Sequence, residues 1–156
     1  MTFLYLVPMV SSICSLLLAH DQWFFLRLFD KPDIQSLSNR ILPSYFDTLF
    51  QRGAILVLAF LLTTISSSLA VMWSAEALLR NRGSWTWYLA GTLSAASHLA
   101  FAPFIFPQVR VIVTGVKENP LIGLRGWMRV HIIRSLTSDL AACVCFVVAV
   151  AYTIEP

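Results

Sequence analysis

The chain has 156 residues, 58% of them hydrophobic and 12% charged, and a mean hydropathy of +0.74. Soluble domains carry about a quarter charged residues, so a soluble fold is excluded, and apolar runs near 20 residues suit a bilayer core about 30 Å thick. The net charge of +3 leaves no basic face free of apolar sequence, which excludes a nucleic-acid partner and fits loops resting on anionic lipid head groups.

The first apolar run covers residues 3–19, with Pro8 inside it. No Lys or Arg precedes it and no small-x-small site follows it, which argues for a first membrane span rather than a secretory signal peptide. A loop of about thirty residues comes next. Its segment QWFFLRLF has the aromatic and basic mix of a membrane interface, and LPSYFDTLFQRG predicts a short amphipathic helix. The second span covers residues 54–73, and Thr63, Thr64, Ser66, Ser67 and Ser68 make its second half small and polar. Such residues let helices approach closely and bond across them. Glu76, Arg80 and Arg82 lead to Gly83, which ends the pattern.

The third span covers residues 84–107. Trp85, Trp87 and Tyr88 predict an aromatic belt at its entry, and Pro103 and Pro107 predict a bend or break. Asn119–Pro120 predicts a turn before a fourth span over residues 124–154, longer than a bilayer requires. The expected fold is all-α: a single domain over residues 1–156, an antiparallel four-helix integral membrane bundle with a short amphipathic helix in loop one. Loop one holds Arg27, Lys31, Arg40 and Arg52, and loop three with the base of span four holds Arg110, Lys117, Arg125, Arg129 and Arg134. Loop two holds only Arg80 and Arg82. The positive-inside rule then makes loops one and three cytosolic and both termini lumenal or exterior, with the endoplasmic reticulum as the expected membrane in a eukaryote. Cys14, Cys143 and Cys145 lie inside apolar runs, form no C-x-x-C, and read as buried thiols.

The base of span four, GWMRVHIIRSLTSDL, carries too many polar groups for a segment entering lipid. At about 100° per residue, Trp127, His131, Arg134, Ser135 and Ser138 share one stripe, with Asp139 at its edge. Polar groups at this depth turn toward the bundle interior. Span three offers His98 as a second polar point, followed by the aromatics Phe101, Phe104 and Phe106. A buried neutral imidazole can take a proton from an activated carbon, a guanidinium can stabilise the oxyanion that forms, and aromatic walls can hold a flat ring. The stripe also admits a purely structural reading: Arg129 and Arg134 snorkelling to head groups, Arg134 paired with Asp139, and His131 satisfied within the bundle. The metal-ligand candidates are His20, His98, His131, Glu76, Glu118 and Asp139, but no pair has the spacing of a Glu-x-x-His or H-E-x-x-H helix, so no metal is expected.

Three stretches carry a family likeness: LFQRGA at the start of span two, HLAFAPFIF in span three, and NPLIGLRGWMRVHIIRSL before the last span. They resemble the anthrone oxygenase-like family of small four-helix membrane proteins. The resemblance implies oxidation of an anthrone to a quinone by O2 without metal or organic cofactor. Carried over, it implies His131 as the proton acceptor, Arg134 beside the oxyanion, Trp127 against the rings and Asn119 at the mouth; the stripe and span three, read on their own, add His98 to the catalytic candidates and Phe101, Phe104, Ser135 and Asp139 to the substrate-binding ones. The expected partners are a lipophilic small molecule and membrane lipids, with homo-oligomerisation open. Three alternatives stay open at this level. They are a membrane cyclase or isomerase of a secondary-metabolite pathway, a non-catalytic membrane subunit packed against a partner through its Ser and Gly faces, and, less well supported by four spans, a carrier.

Overall fold

A computed structural model describes residues 2–114 and 119–154, and every element among them is helical. Helix α1 (Thr2–Arg27) is followed by two 3-10 turns (Leu28–Asp30 and Pro32–Ile34), α2 (Gln35–Ser74), α3 (Glu76–Asn81) and α4 (Trp85–Ser97). A 3-10 turn (His98–Phe101) joins α4 to α5 (Ala102–Thr114), and a π-helical turn (Ser135–Asp139) joins α6 (Pro120–Arg134) to α7 (Leu140–Ile154). Four helical stretches are long and apolar enough to cross a membrane: Phe3–Asp30, Pro32–Ser74, Trp85–Thr114 and Pro120–Ile154. Successive stretches pack side by side, and α1 also packs on α7, which closes an antiparallel four-helix bundle.

The short amphipathic helix expected in loop one does not stand apart. It is the first half of α2, a helix of 40 residues. Pro43 removes one backbone donor without stopping it, and the turns on either side carry Leu42 and Phe46 into the core. Forty residues extend about 60 Å, twice the hydrocarbon thickness, so α2 must project beyond the bilayer. Lys117 and Glu118 of the sequence reading lie outside the described residues.

Two apolar clusters fill the bundle. One gathers Leu61, Val71, Leu79, Tyr88, Phe146 and Ala149 toward loop two and the chain ends. The other gathers Leu26, Leu42, Phe46, Ile112, Leu124 and Trp127 toward loops one and three. Tyr88 belongs to the first and is fully buried, so the expected belt loses this member. Its hydroxyl donates to the Tyr5 carbonyl at 3.1 Å, an end for its polar tip that a lipid-facing ring would not have. Of the hydroxyl-rich half of α2, Thr64, Ser67 and Ser68 turn inward, and Ser68 meets Thr92 of α4 at 2.7 Å. The outward positions, among them Leu62, Leu69, Leu93 and Val144, are apolar, as a lipid-solvated surface requires. Cys14, Cys143 and Cys145 are free and half-buried.

Helices α4 and α7 approach each other closely at Gly91. A Cβ there would lie 2.9 Å from the Phe146 ring, which is itself fully buried and has no room to retreat. Gly91→Val is expected to lower stability by about 1–3 kcal/mol through overpacking. A detergent-solubilised variant melting at the wild-type temperature would show that the two helices do not meet there.

Candidate functional site

The seam between the two clusters holds the polar groups. Four ionisable side chains meet there, all at least nine-tenths buried: His98 from the 3-10 turn, His131 and Arg134 from α6, and Asp139 from the π turn. His98 Nδ1 lies 2.8 Å from Asp139 Oδ1, and the other carboxylate oxygen lies 3.6 Å from Arg134 Nε. Arg134 Nη2 donates to His131 Nδ1 at 3.0 Å, and His131 Nε2 donates to the Ala19 carbonyl of α1 at 2.8 Å. Ser138 and Ser97 share a hydrogen bond of 2.8 Å alongside. One chain of contacts thus crosses from the 3-10 turn of span three through the π turn and α6 to α1.

Local backbone irregularities make this convergence. On an uninterrupted α-helix, residues five apart are about 140° apart around the axis, so Arg134 and Asp139 would diverge. The π turn over Ser135–Asp139 widens the helix by one residue and brings positions five apart onto one face. In span three, Pro103 cannot donate to the Leu99 carbonyl, and the chain tightens into the 3-10 turn that begins at His98. The imidazole is turned inward from that bend.

Two cavities flank the network. The first, about 210 Å³, is lined by His98, Arg134 and Trp127 on its polar side and by Phe50, Val57 and Phe106 among its apolar walls. Its rim includes Leu58, Leu99 and Phe106, whose side chains are largely exposed on the outer surface of the bundle. The opening between α2 and α5 therefore faces the position of lipid. The second cavity, about 380 Å³, lies against α1 and is lined by Ala19, His20, Trp23, His131 and Ser135. Arg134 and His131 form the wall between the two. Four buried polar atoms here have no hydrogen-bond partner: Trp127 Nε1, Arg134 Nε, Ser135 Oγ and Asp139 Oδ2. Buried polar atoms are seldom left so, and their concentration in one place marks a site that can donate hydrogen bonds to a guest and accept them from it.

The candidate residues separate into those at the network and those away from it. His98, His131, Arg134 and Asp139 meet directly, and Trp127 joins them by stacking on His131 with ring centroids 4.4 Å apart. Ser135 opens onto the α1 side rather than the cavity shared by His98 and Arg134. Phe101 is half-buried against the apolar cluster toward loops one and three, and Phe104 is 63% exposed, pointing out of the bundle. Asn119 caps α6, its side-chain oxygen accepting from the Leu121 N–H at 2.9 Å, and lines neither cavity. Gln22, Phe50 and Val57 line the first cavity without having been proposed as site residues; the sequence places Gln22 in an interfacial stretch, Phe50 in the LFQRGA likeness and Val57 inside span two, and α1 passes close to Gly53 beside them. Among the described residues no three His, Cys, Asp or Glu side chains gather in a metal-ligating group.

No family model and no solved structure matches the chain. It is similar to epoxidase pydX of an Acremonium species, 24% identical over 145 residues that cover 92% of this chain and 90% of the relative. It is similar also to epoxidase gkaX of Penicillium citrinum, 25% identical over 146 residues with 92% and 90% covered.

Removing one member of a buried ion pair strands the other charge. Asp139→Ala is expected to destabilise the bundle by about 3–5 kcal/mol, whereas Arg134→Met with Asp139→Leu together should cost far less. Thermal melts of the three proteins in one detergent decide the matter. A single variant no less stable than the double one would mean that the carboxylate and the guanidinium are not coupled.

Proposed function

We propose that the protein is a membrane oxygenase-type oxidoreductase acting on a lipophilic, electron-rich aromatic molecule, with O2 as co-substrate and no organic cofactor. One observation carries this reading: a buried imidazole and guanidinium face an apolar cavity that opens toward lipid. A base and an oxyanion stabiliser in a site of low dielectric suit removal of a proton from a weak carbon or phenol acid. The relatives named epoxidase support an oxygenase-type role, and the resemblance to the anthrone oxygenase-like family supports an anthrone as substrate and the absence of a cofactor.

The chemistry balances without an external reductant. The ring methylene of an anthrone loses a proton, and its electron pair spreads onto the carbonyl oxygen. O2 adds at that carbon to give a hydroperoxide, and loss of water leaves the quinone. The relatives' name favours a second product from the same steps. A hydroquinone that loses a proton and adds O2 gives a ring hydroperoxide, whose loss of water with closure onto the neighbouring double bond gives a quinone epoxide. Both routes consume one O2 and release one water per substrate. In both, Arg134 stabilises the oxyanion and Trp127, Phe50 and Phe106 supply the walls. The substrate enters sideways from the bilayer between α2 and α5. Loops one and three, which hold most of the Lys and Arg, face the cytosol in this reading, and the endoplasmic reticulum is the membrane in a eukaryotic host.

The assay uses protein purified in detergent with anthrone or a prenyl-free naphthohydroquinone, an O2 electrode, and product identification by mass. Catalysed uptake of one O2 per product supports the reading, and Arg134→Gln is expected to slow it about 100-fold, the scale of losing one oxyanion donor. Uptake no faster than in protein-free detergent with both substrates would overturn it. Val57→Phe, which fills the cavity without touching the network, should raise KM and leave kcat largely intact, and an unchanged KM would place binding elsewhere.

A further inference from the structure

We infer that His98 is the proton acceptor of this site, that Asp139 is its positioning residue, and that His131 positions Arg134 rather than taking a proton. The inference rests on the oxygenase reading for its substrate but on hydrogen-bond geometry for its assignment of roles. It departs from what the family resemblance implied for His131.

Both nitrogens of His131 are engaged. The Ala19 carbonyl can only accept, so Nε2 at 2.8 Å carries the hydrogen. Arg134 Nη2 can only donate, so Nδ1 at 3.0 Å is the bare nitrogen that receives it. The ring face is covered by Trp127 at 4.4 Å. A substrate proton could land on His131 only by displacing the guanidinium, and it would then place a second positive charge beside the first in a buried setting.

His98 has the opposite arrangement. Its Nδ1 lies 2.8 Å from Asp139 Oδ1, a carboxylate oxygen that accepts, so Nδ1 carries a hydrogen and the neutral ring leaves Nε2 bare. No described residue hydrogen-bonds to Nε2, and His98 lines the same cavity as Arg134 and Trp127. A carboxylate behind an imidazole fixes its tautomer and stabilises the imidazolium that forms when a proton arrives. The proton thus arrives beside a negative charge at His98 and beside a positive one at His131. One guanidinium and one carboxylate lie 3.6 Å apart in the seam and offset each other's charge.

In the step assigned to His98 a C–H or O–H bond of the substrate breaks, its proton bonds to Nε2, and the electron pair stays on the substrate as an oxyanion facing Arg134. The electrons then pass to O2, and His98 returns its proton to the oxygen that leaves as water.

Two measurements test this. Nitrogen-15 NMR of histidine-labelled protein in micelles, with signals assigned through His20→Gln, His98→Gln and His131→Gln, reads each tautomer without any substrate. The expected pattern is Nδ1–H with bare Nε2 for His98 and Nε2–H with bare Nδ1 for His131, and Asp139→Asn is expected to disturb the tautomer of His98 alone. His98 protonated on Nε2, or His131 free of its fixed tautomer, overturns the assignment. The second measurement follows deuterium entry into the anthrone methylene in D2O without O2. His98→Ala should slow it by about 10²–10⁴-fold, the span of general-base contributions, and imidazole in the buffer should restore part of the rate. Asp139→Asn should lower the rate constant with KM unchanged. His131→Ala should keep measurable exchange that imidazole does not raise; rescue of this variant and not of His98→Ala reverses the roles and overturns the inference. Fixed tautomers with no exchange above the protein-free rate overturn the proton-transfer role itself while leaving the hydrogen-bond assignment standing, so a failure of the substrate reading is told apart from a failure of the geometry.

Discussion

Arg134 and Asp139 place one positive and one negative charge where the bundle has almost no water to solvate them. Each is costly there alone, and each is stabilised by the other and by hydrogen bonds to an imidazole. The rest of the seam follows from this pairing. Because Asp139 must reach Arg134, the last helix takes a π turn between them. Because the carboxylate has a second oxygen, His98 is drawn across from span three. Because the guanidinium has further donors, His131 is held with its second nitrogen on the backbone of α1. Three spans are thereby joined through polar contacts at a level where apolar packing alone would leave their rotation loosely set.

The placement of the network between two apolar clusters decides what it can do. Above and below, close packing such as Phe146 against Gly91 and Phe46 against Trp127 holds the helices rigid. At the seam the side chains are polar, and cavities lie on either side of them. A polar wall with a hollow beside it is a poor device for stability, since apolar replacement of a buried ion pair is often neutral or better. It is a good device for chemistry, since the groups are fixed in position before a guest arrives and need little rearrangement when charge develops on it.

Hydropathy made the four helices and their bundle legible, because a span cannot lie in lipid without a long apolar run. The inward polar stripe was legible for the same reason, and Trp127, His131 and Arg134 do lie together on α6. What the one-dimensional pattern lacked was a change of period. A wheel at constant pitch puts Asp139 at the margin, and only the π turn moves it to the centre. Likewise the distance between His98 and the last span depends on the bend before Pro103, which the sequence announces without giving its direction. Loop one hid its continuity with α2 because amphipathic and fully apolar stretches read as separate elements, and Gly53 stands at their boundary without stopping the helix. Asn119 carried a helix-cap signature before Pro120 that explains its position without any role at a site mouth.

Two histidines with similar burial can thus have unlike chemistry, and the difference lies in their partners rather than in their depth. His131 is the residue that sequence brings forward, because it shares a short motif with Arg134 on one helix. Yet a neighbour four or fewer residues away is also the neighbour best placed to occupy a ring nitrogen, as Arg134 does. His98 stands alone in its span, and for that reason its partner comes from another helix and its far nitrogen stays open toward the cavity. In a bundle this small, a residue isolated in sequence is the one whose reactive edge the fold leaves free.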